Sequence, residues 1–238
     1  LAKYEGENQE LKIKVAEKGQ SLADDIARVA AARDALPSAR LKVDANMGYT
    51  LAGALEALRK LCEYGIIYAE QPVASIEDMA ALRFAIAKEG LPARIAADES
   101  IRKAEDPLKV ARANAADLMV IKAAPLGGVR RALALVEQAQ LPAVVSSALE
   151  SSVGIATGAS LAASLPTLRY GCGLGTVSLM AEDVTDEPLI ARDGFMDLRA
   201  ITPNPRRLER LATDKQTRQW WVERVTACYR VLERACGL

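Results

Sequence analysis

The 238-residue sequence contains no histidine, and aromatic residues make up only 4% of it. Without histidine there is no Ser-His-Asp or Cys-His nucleophile arrangement, so acid-base chemistry must use lysine, carboxylate, tyrosine or cysteine. Sparse aromatics argue against base-stacking platforms for single-stranded nucleic acid. Lysine plus arginine equals aspartate plus glutamate at 31 each, so no whole-molecule field draws in nucleic acid or an anionic membrane. No apolar run approaches a membrane span, and residues 1–20 carry charges throughout instead of a signal-peptide apolar core. The cysteines at 62, 172, 228 and 236 form no C-x-x-C pair, which excludes an obvious zinc site and fits free thiols in the cytoplasm.

What is present is enough apolar sequence, 50%, to bury a substantial core. Short strand-like runs alternate with helix-like ones: "LKIKVA" then 21–36, "LKVDA" then 50–64, "IIYAE" then 76–88. The alternation continues with "ARIAAD" then 107–114, "DLMVIKA" then 129–139, "PAVVSSA" then 151–163, and "LRYGCG". Such alternation predicts right-handed βαβ units and a parallel sheet. Ser21 with Asp24 reads as a capping box, and Pro107 as a first-turn residue.

A polar residue stands near the carboxyl end of each strand: Lys14, Asp44, Glu70, Asp98, Lys122, Ser147 and Cys172, spaced 30, 26, 28, 24, 25 and 25 residues apart. That regularity predicts an α/β fold of the TIM-like (β/α) barrel type, whose sites lie at the carboxyl ends of the strands. An open doubly wound sheet is the alternative. The barrel segment is expected over 1–184. Beyond it, 185–238 is expected to form a hairpin, Leu189–Arg192 with Phe195–Arg199, and a final helix, Lys215–Arg234, with Trp220 and Trp221 as packing anchors.

In "LKIKV" the strand period of two puts Lys12 and Lys14 on one face and Leu11, Ile13 and Val15 on the other. A solvent-facing edge strand explains the doublet on its own. The following strands give it another use. Asp44, Glu70 and Asp98 come from consecutive strands, and three like charges at one mouth call for a divalent hard cation, Mg²⁺ or Mn²⁺. Lys14 precedes these strands and Lys122 follows them, so the amines flank the cation. Lys12 supplies a neighbouring positive charge that favours a neutral, basic Lys14. The chemistry such a site addresses is removal of a proton beside a carboxylate.

"KIK", "VDAN", "EQP", "AADES" and "VIKAAPLGG", in this order, resemble the muconate-lactonizing branch of the enolase superfamily. Within it, "AADESIRKAEDPL", "APLGGV", "VVSSALESSVGIA" and "GCGLGT" are similar to the actinobacterial o-succinylbenzoate synthases of menaquinone biosynthesis. A lysine base with Mg²⁺ is a pattern already known for that superfamily. The resemblance implies a carbon-oxygen lyase in which Lys14 removes the α-proton of 2-succinyl-6-hydroxy-2,4-cyclohexadiene-1-carboxylate and helps the hydroxyl leave as water. It implies Lys122 as the stabiliser of the enediolate, Asp44, Glu70 and Asp98 as metal ligands, and Asn46 in the pocket. Ser146, Ser147 and Gly173 are implied near the succinyl part. Family members carry a capping domain and a first strand-helix unit ahead of the K-x-K strand, so the chain reads as lacking both, and is expected to self-associate or pair with that segment. A racemase or epimerase of acylamino acids or dipeptides on the same site, and a non-catalytic binding or scaffold barrel, are the alternatives.

Overall fold

The computed structural model describes residues 10–102 and 106–236, and the side chains of all these except 235 and 236. The first nine residues of the expected barrel segment, and 103–105 of the "AADESIRKAEDPL" motif, lie outside the described residues.

Six parallel strands form one sheet in strict sequence order: β1 (Glu10–Lys14), β2 (Arg40–Asp44), β3 (Ile66–Glu70), β4 (Arg94–Ala97), β5 (Leu118–Ile121) and β6 (Ala143–Val145). A doubly wound sheet would reverse its strand order part-way; this one never does, and it curls as part of a barrel. The connections are α1 (Leu22–Ala35), α2 (Leu51–Leu61), α3 (Ile76–Glu89), α4 (Glu99–Arg102) with α5 (Lys109–Arg112), and α6 (Val129–Ala139). After β6 come α7 (Ser152–Ser164), α8 (Pro205–Arg210) and α9 (Lys215–Cys236).

The helix starts obey local chemistry. Ser21 and Asp24 form the expected reciprocal capping box, while Thr50 and Ser75 cap α2 and α3 through their side chains. Pro107 lies in a turn ahead of α5 instead of inside the helix, and the short α4 was not anticipated.

Two apolar layers hold the sheet. The outer one, between strands and helices, includes Ile13, Val15, Leu41, Ile95, Met119 and Ile121. The inner one, on the concave face, consists of Tyr68, Ala96, Leu118, Val120, Val144 and Tyr170. Tyr68 and Tyr170 meet edge to face with ring centroids 5.5 Å apart. At the amino-terminal end of the strands Gly171 N–H donates to the Glu10 carboxylate at 2.7 Å, and Lys42 donates to Gly171 O at 3.0 Å. These bonds tie β1 and β2 to the chain after α7, across the curl of the sheet.

The turn after β1 rests on Asp25, which is almost fully buried. Its carboxylate accepts from Ala16 N–H at 3.0 Å, Tyr49 O–H at 2.6 Å and Arg28 at 3.0 Å, joining the ends of β1 and β2 to α1. Asp25→Ala removes the buried acceptor shared by these part-buried donors, and is expected to destabilise the fold by about 2 kcal/mol. Urea denaturation checks this, and a loss below about 1 kcal/mol would show the network to be dispensable.

The carboxyl-terminal part departs from expectation in three places. "LRYGCG" forms no regular strand; it contributes one parallel bridge, Gly173 to Ser146. The hairpin shrinks to a single antiparallel bridge between Arg192 and Phe195 around Asp193 and Gly194, both left-handed. Trp220 and Trp221 are not packing anchors: they are 52% and 53% exposed and stack chiefly on each other, centroids 4.7 Å apart. All of α9 through Arg234 is exposed apart from a partly covered Glu233. The segment joining barrel to tail is firmly held, because buried Asp183 accepts from Ser152 N–H at 3.1 Å and Ser152 Oγ accepts from Leu189 N–H at 2.7 Å. Among the described residues no helix is long and apolar enough to cross a membrane.

Candidate active site

At the carboxyl end of the sheet the backbone repeatedly turns left-handed just after a strand: Ala16 after β1, Asn46 and Met47 after β2, Gln71 after β3. Non-glycine residues adopt that region at a cost, and such conformations cluster where side chains must be aimed. Gly48 is needed here for a different reason. A Cβ at this position would lie 2.6 Å from Ala16 O and 2.7 Å from Ala16 Cβ.

Parallel register sets Lys14 beside Asp44, and Asp44 beside Glu70. With period two, Lys12, Lys14, Asp44 and Glu70 all project onto the concave face, while Ile13 and Val15 go to the outer core. The lysine doublet therefore faces carboxylates. Lys12 Nζ donates to both Glu70 oxygens at 2.9 and 3.0 Å and lies 3.5 Å from Asp44 Oδ2. Lys14 Nζ donates to Asp44 Oδ2 at 2.6 Å and to Asn46 Oδ1. Lys122, from the end of β5, donates to both Asp98 oxygens at 2.9 and 2.6 Å.

The three carboxylates are buried, each no more than 2% exposed. Burial pushes the Glu70 carboxyl up to about 7, with the charges of Asp44 and Asp98 pushing the same way and Lys12 opposing. Burial works to lower the pKa of Lys12, but the Glu70 and Asp44 carboxylates outweigh it and hold the group above its ordinary value. Lys12 is thus a firmly protonated cation within the cluster.

Among the described residues no group of three or more acidic or thiol side chains is gathered closely enough to hold a metal ion. Amines supply the counter-charge around these acids: Lys12 lies between Asp44 and Glu70, Lys14 on Asp44, and Lys122 on Asp98. Like charges this close need a counter-charge, and ammonium groups supply it. The donor set still fits a hard divalent ion, being all carboxylate oxygens from adjacent strand ends with no thiol or imidazole among them.

Residues outside the expected set complete the site. Gln71, fully buried, accepts from Asp98 N–H at 3.0 Å and Ser100 N–H at 3.1 Å, and so holds the turn carrying Asp98. Glu99 Oε1 accepts from Asn46 Nδ2 at 3.3 Å and from Arg102 at 2.7 Å, and Arg102 also donates to Asp98 at 3.2 Å. Their signal lay inside the quoted "EQP" and "AADES": a polar residue directly following each strand-end acid.

Ser146, Ser147 and Gly173 form a second cluster at the end of β6. Ser147 Oγ donates to Gly173 O at 2.9 Å, and Thr176 Oγ1 donates to Ser147 Oγ at 3.2 Å. A Cβ on Gly173 would meet Ser146 Oγ at 2.7 Å, so any larger residue there would force the Ser146 hydroxyl to move. The serine hydroxyls are engaged with backbone, not with the lysine-carboxylate cluster.

Residues 2–203 match the family model described as enolase C-terminal domain-like. The chain belongs to this enolase C-terminal domain-like family. Among curated relatives, the o-succinylbenzoate synthase of Mycolicibacterium smegmatis is 52% identical over 98% of this chain and 70% of that protein. The o-succinylbenzoate synthase of Mycobacterium leprae is 48% identical over all of this chain and 69% of that protein. Among solved structures, the muconate lactonizing enzyme of Pseudomonas putida superposes with a TM-score of 0.75 at 27% identity, covering 87% of this chain and 59% of that one. Muconate cycloisomerase from Pseudomonas fluorescens gives 0.74 at 30% identity, over 84% and 57%. The chain thus spans under two thirds of these enolase-type structures. The barrel expected from strand spacing, and the family resemblance, are both borne out.

Proposed function

We propose that this chain carries the site of an o-succinylbenzoate synthase, which dehydrates 2-succinyl-6-hydroxy-2,4-cyclohexadiene-1-carboxylate to o-succinylbenzoate in menaquinone biosynthesis. The observation that carries the reading is the placement of amines from the ends of β1 and β5 on either flank of three buried carboxylates. Similarity to the mycobacterial o-succinylbenzoate synthases supports the choice of reaction.

Lys14 is the base. It takes the proton from the carbon bearing the carboxylate and returns that same proton to the departing hydroxyl. The C–H and C–O bonds break, a ring double bond forms, and water leaves. Lys122, buried and charged, steadies the negative charge that gathers on the carboxylate oxygens. Lys12 keeps its charge between Glu70 and Asp44, beside the Lys14 base. Asp44, Glu70 and Asp98 would hold Mg²⁺, or Mn²⁺ in its place. When bound, that ion neutralises charge building on the substrate carboxylate. Asn46 lines the pocket next to Lys14, and the Ser146, Ser147 and Gly173 cluster would receive the succinyl end. The chain works in the cytoplasm on a diffusible carboxylate, residues 1–184 forming the barrel part and 185–238 its extension.

Two amines on opposite flanks also suit a racemase or epimerase, which would exchange a proton at one carbon from either side. Incubation in D₂O with Mg²⁺ separates the readings. The cyclohexadiene substrate is expected to gain ultraviolet absorbance as its ring becomes aromatic, and EDTA should stop the change. Deuterium at the α-carbon of acylamino acids without dehydration would favour the racemase; neither signal would leave a non-catalytic barrel.

A further inference from the structure

Glu99 is 5% exposed, and its Oε2 is buried with no hydrogen-bond partner among the described residues. A carboxylate oxygen left so is costly. The compensation lies entirely at Oε1, which accepts from Asn46 and from Arg102. Each donor leads to one of the two amines. Asn46 uses its amide nitrogen on Glu99, which turns its Oδ1 toward Lys14. Arg102 divides its guanidinium between Glu99 and Asp98, and Asp98 holds Lys122. The result is one continuous hydrogen-bonded path from Lys14 to Lys122 that bypasses the facing carboxylates Asp44 and Glu70.

We infer that Glu99 and Arg102 are positioning residues: they set the amide of Asn46 against Lys14 and the carboxylate of Asp98 against Lys122, fixing how far apart the two amines stand. The inference rests on Lys14 and Lys122 being the working amines. Glu99 itself touches neither. The Lys14 amine already selects the amide oxygen by donating to it; what Glu99 adds is a hold on the other end of the same amide, which fixes the rotation and position of Asn46 against Lys14. A misplacement of about 1 Å at a reacting amine costs on the order of a hundredfold in rate.

Two measurements test this. The first needs no turnover: limited acetylation with acetic anhydride, mapped by mass spectrometry, with exposed Lys88 as the internal standard. Glu99→Gln replaces the charged acceptor shared by Asn46 and Arg102 with a weaker neutral one whose NH2 end cannot serve either donor, and is expected to raise labelling of Lys14 relative to Lys88 about threefold or more; Asn46→Ala should raise it equally. Arg102→Lys, at a partly exposed position, loosens the same carboxylate without altering a buried residue and should raise it too. The second is kinetic: Glu99→Gln should lower kcat about thirtyfold with KM within about threefold, and combined with Asn46→Ala it should be no worse than Asn46→Ala alone. Unchanged Lys14 labelling in both Glu99→Gln and Arg102→Lys, or effects of Glu99→Gln and Asn46→Ala that multiply, would overturn the inference. A parent chain that labels as expected but does not dehydrate the substrate would instead count against the proposed reaction.

Discussion

Replacing Lys14 with alanine is expected to lower dehydration about a thousandfold, the scale on which a positioned proton-transfer group contributes to catalysis. The fold should barely notice. The Lys14 side chain is 51% exposed, and its loss leaves Asp44 still facing Lys12 at 3.5 Å. With the lysine half exposed and Lys12 left to face the buried carboxylate, the loss is expected to stay at about 1 kcal/mol. The variant should therefore melt close to the parent while losing turnover, so an activity loss cannot be blamed on unfolding. Aromatisation followed by ultraviolet absorbance, beside a thermal melt of the same sample, makes the comparison. Turnover within about tenfold of the parent would move the base elsewhere.

Asp98→Asn is expected to do damage of the opposite kind. Asp98 receives both contacts of Lys122, one from Arg102, and a backbone anchor from Gln71. The amide removes the negative charge and points hydrogen-bond donors at two cations, one of them on the buried Lys122. Stranding one partner of a buried pair costs about 3–5 kcal/mol, which denaturant titration would register directly. Affinity for Mg²⁺ or Mn²⁺, read by calorimetry without substrate, should fall by about a hundredfold or more. An unchanged affinity would remove Asp98 from the ligand set; unchanged stability would mean the Lys122 pair contributes no net stabilisation.

The contrast with Glu99 is informative, because Asp98 and Glu99 are neighbours in sequence and both buried. Asp98 has every oxygen engaged, whereas Glu99 keeps one oxygen unpaired. Spacing singles out Asp98 as the strand-end acid, but only the coordinates show that Glu99 beside it is a buried carboxylate paired through one oxygen.

Much of the frame was legible from the chain. The period of two in "LKIKV" assigns Lys12 and Lys14 to one face, Ser21 with Asp24 announces α1, and the spacing from Lys14 to Lys122 foretells consecutive strands of a barrel. Less legible was what happens after Ala181. Trp220 and Trp221 look like core residues by type, yet burial depends on a partner surface, and α9 meets none among the described residues. The "DG" at 193–194 does make its tight turn, but a turn alone does not hold two strands together without a neighbouring sheet.

By itself the sequence determined which side chains share a strand end and which face they take, because alternation, capping and spacing are properties of residues close along the chain. Tertiary structure alone decided that Lys12 would clasp Glu70, 58 positions away, and that Asn46 would reach Glu99. Such pairings depend on parallel register and on the curl of the sheet, and these are set by packing of the whole core instead of by any local pattern.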